Sequence, residues 1–276
     1  MSAGGRRWPY TIALAAVAIA FVLPMLWLFS VSLKTKAGVY GFPPQWVPDD
    51  ASLDNYAFVL ARTEVPWYLL NSFKVALAAT AATLLLGVPA AFVLSREDVR
   101  GRASLLTALL ALQMVSPIVL LVPIYGLIGG LGLLDSHAGL VVVYAAVQLP
   151  FTIVVLKNFF DALPTSLLEA ARLDGASRPR VLWRVALPLL GPGLGATATF
   201  NLAWYWAEFA LALVLLDSQG HFTIPVGLFS FQSGYETEWQ LVAAASFIGL
   251  VPVIATFVLL QRFFVSGLTA GAVKGG

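Results

Sequence analysis

The 276-residue sequence contains no cysteine. That excludes disulfides, thiolate catalysis and cysteine-ligated metals. Histidine is almost as scarce. His137 and His221 are the only two, and they stand too far apart for an HExxH-type zinc site. Charge is the third shortage: 11% of residues are charged, against about 25% in soluble domains. With 59% hydrophobic residues and a mean hydropathy of +0.87, the chain cannot cover a water-facing surface, and it reads as an integral membrane protein. No GxxxxGK[ST] phosphate loop occurs, so any ATP-driven work requires another chain. No internal repeat or low-complexity segment stands out.

Six apolar runs approach the ~20 residues that a bilayer-crossing helix needs. They are 10–32, 72–94, 103–128, 139–160, 193–216 and 241–264. Pro117 and Pro123 predict a kink in the third. The first run is too long for a signal core and lacks a small-x-small cleavage site, so no cleaved signal is expected. If the runs alternate in direction, Arg6, Arg7, Arg96, Arg100, Arg102, Lys157, Arg172, Arg178, Arg180, Arg184, Arg262 and Lys274 all fall on one side. By the positive-inside rule that side is cytoplasmic, with both termini inside. The external loop 33–71 carries Pro43, Pro44, Trp46 and Pro48, with a short helix expected at 53–60. The two histidines fall in external loops and read as solvated. Lys74, at the start of the second run, reads as a snorkelling residue.

The cytoplasmic connection 161–192 is the most informative. Leu163-Pro164 opens a helix, since Pro suits a first helical position. Gly175 after Asp174 is a natural C-cap. Ser177 can cap a second helix with Pro179 in its first turn, ending before Pro188. Leu167, Leu168, Ala171 and Leu182 form an apolar face suited to a partner's groove. From these features alone, an amphipathic connector lying on the bilayer is an equal reading.

Within the spans, acid is confined to Glu208. A carboxylate at membrane depth costs at least ~2.5 kcal/mol and faces protein or water. On a continuous helix Asn201, Trp204, Tyr205 and Glu208 share one face, and aromatic rings beside an amide and an acid suit a sugar. The same residues also fit a purely structural role, as interfacial aromatics and a helix-pairing acid. Gln113, Ser116 and Gln148 can line a path or pair helices. Otherwise the spans hold almost no ionisable groups, which argues against ion-coupled transport. Without His or Asp in the spans, an intramembrane enzyme also lacks its machinery.

The order Glu169-Ala170-Ala171-x-x-Asp174-Gly175-Ala176, followed by Leu187-Pro188, resembles the EAA coupling motif of bacterial ATP-binding-cassette importer membrane subunits. Asn55-Tyr56, Asn71-Ser72, Leu149-Pro150-Phe151 and the ending from Gln261 to Gly275 resemble the carbohydrate-uptake branch, in particular the second, smaller membrane subunit of the maltose-type system. Leu182 and Val185 depart mildly, standing where bulkier apolar residues are common. The resemblance implies an all-α, polytopic protein of six transmembrane helices with a type-I importer domain over 68–262. Residues 1–67 would add a span and an external loop, 161–191 the cytoplasmic coupling helices, and 263–276 a cytoplasmic tail.

It further implies no enzymatic activity and no cofactor in this chain, with ATP and Mg bound by two copies of an ATPase subunit. The other partners it implies are a second homologous membrane subunit and an external sugar-binding protein, all at the bacterial inner membrane. The solute implied is a maltose- or trehalose-like oligosaccharide, with a polyol, an amino sugar or glycerol phosphate as alternatives. In that family the external loop corresponding to 229–239 enters the binding protein, which makes Gln232, Ser233, Gly234, Tyr235 and Glu236 candidate contacts, beside the alternative of an ordinary amphipathic turn.

Overall fold

The computed structural model describes residues 8–231 and 237–272. Among them every regular element is helical: α1 Trp8–Ser32, α2 Lys36–Val39, α3 Asp54–Arg62, α4 Val65–Arg96, α5 Arg102–Gln113, α6 Leu121–Gly130 and α7 His137–Asp161. Then follow α8 Thr165–Leu173, α9 Arg178–Val181, a π turn at Leu182–Ala186, α10 Leu187–Leu189, α11 Gly191–Ala207, α12 Ala210–Leu215, α13 Ile224–Ser230 and α14 Trp239–Ala272.

Four of the six apolar runs are uninterrupted helices long enough to cross a bilayer. The other two are each built from two pieces. The third run does not kink but breaks, because α5 ends at Gln113 and α6 begins at Leu121. Pro117 pushes Ser116 out of helical conformation. Pro123 falls at the third position of α6, where a helix leaves its N–H unpaired anyway. The fifth run breaks at Glu208, whose backbone is extended (φ −68°, ψ 129°). Pro24, Pro89, Pro150 and Pro252 lie inside helices that continue through them. The tail expected from 263 is helical as far as Ala272.

The chain divides into two compact units, one comprising residues up to 66 together with 227–251, the other 67–226 together with 252 onward. In the first, α1 leaves its apolar side chains uncovered, with Phe21 77% exposed, as a lipid-facing helix does. Its end is held by the following loop. The Asn55 amide donates to the carbonyls of Ser32 and Lys34, both at 2.8 Å. The hydroxyls of Tyr56 and Ser32 meet at 2.7 Å. Lys34 is buried, donates to the Gln45 carbonyl at 2.6 Å and lies over the Trp27 ring. Asn55 thus satisfies carbonyls that the helix end leaves open, while Tyr56 holds the Ser32 side chain.

The second unit packs around two apolar clusters. One gathers Val75, Ala79, Leu140, Tyr144, Tyr205, Leu211 and Leu215. The other gathers Val88, Ala91, Phe92, Leu156, Phe160, Leu168, Val181 and Leu182. Gly87 allows α4 to approach α7 closely, since a Cβ there would stand 2.8 Å from Thr152 Cγ2. Small residues at such crossings replace the hydrophobic drive that lipid does not supply. At the other end of α4, Asn71 donates to the carbonyls of Gly220 (2.8 Å) and Phe222 (3.1 Å), and the Ser72 hydroxyl accepts from Ile224 N at 2.7 Å.

The histidines are not independently solvated. His137 Nε2 lies 3.0 Å from the His221 carbonyl and the two rings meet edge to face. His221 Nδ1 stands 3.2 Å from Asp135. Asp135, in left-handed conformation (φ 49°), also accepts from the Ser218 hydroxyl and from the backbone N–H groups of Ser218 and Asp217. These bonds, the Ser218 hydroxyl foremost, hold its carboxyl well below the usual carboxylate range.

Candidate functional site

The connection between α7 and α11 folds as helix, bend, helix. α8 ends in a Schellman motif. Ala176 N–H donates to the Ala171 carbonyl and Gly175 N–H to that of Arg172, both at 3.0 Å. Closing those bonds requires a left-handed residue, and Gly175 supplies it at φ 81°. Pro164 caps α8 rather than occupying its first turn. Ser177 takes the extended cap conformation of α9, but its hydroxyl makes no capping bond.

Past the bend the helix does not stop before Pro188, contrary to the expectation. A π turn spans Leu182–Ala186, its register shown by Leu187 N–H donating to the Leu182 carbonyl, and α10 carries Pro188 in its first turn. Proline clashes with the carbonyl four residues earlier and brings no N–H. The wider π turn accommodates both defects. The stretch 178–189 then meets α11 at a bend of 80°.

The faces of this loop divide differently from the expectation. Leu168 and Leu182 are buried against the chain's own α4 and α7, with Ala171 packed beside them. They anchor the loop and are not available to a partner. The outward face consists of Leu167 (47% exposed), Leu173 (89% exposed) and the exposed Glu169, Ala170, Asp174 and Gly175. Ala176 and Leu187 are half-buried and Pro188 is exposed.

Glu97, just past α4, ties the two arms of the bend together. Its Oε1 accepts from Arg172 at 2.7 Å and its Oε2 lies 3.3 Å from Arg178. Beside it Arg96 donates to the carbonyls of Phe160 and Leu163, closing the end of α7. Asp161 accepts from Ser95 (2.6 Å) and Lys157 (2.5 Å). The loop is therefore clamped to the ends of α4 and α7 by charge as well as by packing.

Asn201, Trp204, Tyr205 and Glu208 do not form one continuous helical face, because α11 ends at Ala207. Asn201 is fully buried and its amide donates to Thr152 at 3.0 Å. Tyr205 is buried, meets the Thr83 hydroxyl at 2.7 Å and stacks on Tyr144. Half-buried Glu208 caps α12. Its Oε1 accepts from Leu211 N (2.9 Å), and its Oε2 from Ala212 N (3.2 Å) and the Tyr144 hydroxyl (2.8 Å). Trp204 is half-buried at the wall of a cavity between α7 and α11. The external candidates Gln232, Ser233, Gly234, Tyr235 and Glu236 lie outside the described residues. Among the described residues no group of His, Asp or Glu is arranged to hold a metal.

Residues 83–269 match a family described as the binding-protein-dependent transport system inner membrane component. The chain belongs to this family. Among relatives of this permease, the sulfoquinovosyl glycerol transport system permease protein SmoH of Agrobacterium fabrum is 35% identical, covering 96% of this chain and 93% of that protein. The trehalose transport system permease protein SugB of Mycobacterium tuberculosis is 32% identical over 99% of this chain and 100% of that protein. The fold matches a crystal structure of a bacterial ABC transporter involved in the import of the acidic polysaccharide alginate. The TM-score is 0.79 at 23% identity, covering 96% of this chain and 99% of that one. Permeases carry solutes and are not themselves enzymes.

Sequence reasoning missed Glu97 and Leu173. A charged residue after a span reads only as topology, and Leu173 looks like one more apolar residue of an amphipathic helix. The available signal for Glu97 was its position in the connection on the same basic side as Arg172 and Arg178.

Proposed function

We propose that this permease is one of two homologous membrane subunits of an ATP-driven carbohydrate importer of the inner membrane, with both termini cytoplasmic. An external binding protein delivers the solute, and two ATPase copies, which bind ATP and Mg, drive the cycle. The loop 161–191 is the ATPase contact, with Glu169, Ala170, Ala171, Asp174, Gly175, Ala176, Leu187 and Pro188 forming or shaping it. ATP-driven closure of the ATPases moves this loop, and the spans switch between inward-open and outward-open states. The solute passes chemically unchanged. The one-sided distribution of Arg and Lys supports the orientation. The sugar-based solutes named for two relatives support the solute class.

The observation that carries the reading is an exposed apolar and acidic helix face, from Leu167 to Asp174, on a loop clamped to two spans. Such a face is wasteful in water, and its rigid seat lets a push on it reach α4 and α7. The test uses the native absence of cysteine. Leu173→Cys should cross-link to a single cysteine placed in the groove of the co-expressed ATPase, and the wild-type complex should import labelled trehalose or maltose only with ATP on the ATPase side. Failure to cross-link at any groove position, in a complex that still imports, would refute the contact. ATP-independent import would refute the mechanism.

A further inference from the structure

Between α7, α11 and the break separating α5 from α6 lies a cavity of about 440 Å³, within the ~300–1,000 Å³ range of small-molecule sites. Its wall includes Gln113, Gln148, Phe151, Phe200 and Trp204 and carries no charged side chain. Gln148 is 6% exposed. Its amide makes no hydrogen bond among the described residues, although Thr152 and Asn201, one turn further along, bond each other. The amide faces the cavity, so an occupant that displaces water from it must bond it in turn or leave it unpaired at a cost of ~1–3 kcal/mol. Phe151 and Phe200 stack with ring centroids 4.4 Å apart. Trp204 is held edge-on by Tyr144 and Tyr205 at 5.8 and 5.5 Å, so its ring cannot turn freely.

Each feature narrows the occupant. A lipid acyl chain or an aliphatic side chain of a second subunit would fit the aromatic wall but strand the Gln148 amide. An anionic solute would find no Lys or Arg in the wall to offset its desolvation. An uncharged sugar ring satisfies both halves, placing apolar CH faces on the aromatic rings and hydroxyls on the amides of Gln148 and, at the open side, Gln113. Depth agrees. Gln148 lies 11 residues into α7, about 16 Å at 1.5 Å per residue, near the middle of a ~30 Å hydrocarbon core.

We propose that this cavity is a solute subsite that takes one uncharged pyranose ring in transit, anchored by Gln148 against the Phe151, Phe200 and Trp204 wall. The proposal rests on the carbohydrate-importer reading, and its test separates the two. The assembled transporter, with its binding protein, is reconstituted in proteoliposomes and offered labelled trehalose, maltose and anionic sulfoquinovosyl glycerol. The wild type should import a neutral disaccharide. Gln148→Leu, which keeps the bulk but removes the hydrogen bonding, should slow that import about tenfold or more, the worth of one buried hydrogen bond, at unchanged complex yield.

In a separate variant, Gln113→Cys, the transported sugar should slow modification by a small uncharged maleimide. Normal import by Gln148→Leu overturns the subsite and leaves the importer standing. So does modification of Gln113→Cys that is indifferent to sugar, which decides the matter if Gln148→Leu assembles poorly. A wild type that imports only sulfoquinovosyl glycerol overturns the uncharged class. A wild type that imports none of the three overturns the carbohydrate reading and the subsite with it.

Discussion

Glu208→Leu should unseat α12 before it affects solute handling. Both carboxylate oxygens are occupied, by two backbone N–H groups of α12 and by the hydroxyl of Tyr144, whose side chain is fully buried. Losing a helix cap costs about 0.5–2 kcal/mol. Stranding the Tyr144 hydroxyl costs about 1–3 kcal/mol; its second acceptor, the Glu208 carbonyl at 3.5 Å, is too distant to compensate. The two losses share one side chain and are not fully additive, so about 2–4 kcal/mol is expected. Glu208→Gln keeps the shape and one acceptor oxygen and should lose about 1 kcal/mol. The measurement pairs the thermal midpoint and membrane abundance of the assembled complex with import normalised to complex present. Leu should lower midpoint and abundance more than Gln, while the complex that does assemble retains most of its import. A Leu variant with wild-type midpoint and abundance but no import would refute this reasoning and return the carboxylate to the solute path.

Glu97→Gln should cost about 1 kcal/mol in stability, because Glu97 is mostly covered but both arginines reach solvent, where ion pairs are weak. Import per ATP hydrolysed should nevertheless fall, as the clamp between the loop arms is lost; an unchanged ratio would remove Glu97 from force transmission. Gly175→Pro should abolish import at normal membrane abundance, since proline cannot adopt φ 81° and lacks the N–H that bonds the Arg172 carbonyl; normal uptake would sink the coupling role of the bend. Asp135→Asn tests the loop holding His137 and His221. The Asp135 carboxyl is depressed from its ordinary 3.8, so its contribution is fully present above that value and is lost as pH falls toward the folded value. The midpoint difference between wild type and Asp135→Asn should be constant from neutral pH down to about 5 and shrink in more acid solution; a difference that instead changes between pH 6 and 8 would assign the dependence to the histidines.

Hydropathy was sufficient for the four uninterrupted spans and for the positions of the loops. A long apolar stretch has few alternatives in lipid, where every backbone group must bond within its own helix. The bend of the EAA segment was legible because it is local: a Gly at a left-handed C-cap is written directly after the helix it ends. Periodicity misled in two places. It extended one helical face through Glu208, since nothing local announces that an acid will fold back to cap the next helix. It also placed Leu168 and Leu182 outward together with Leu167. An amphipathic helix in an aqueous loop has one apolar stripe, and sequence alone does not say whether that stripe meets its own chain or another.

Residues close together in the chain were enough to settle the solvent of this protein, the clustering of its basic residues, and the order of turn and helix over 161–191. What the polar groups bond to follows from packing between distant elements. Glu97 meets Arg172 and Arg178, and Asn71 meets the Gly220 and Phe222 carbonyls. A polar side chain held in place by packing takes whichever group the fold brings within about 3 Å, and those groups come from elements dozens of residues away.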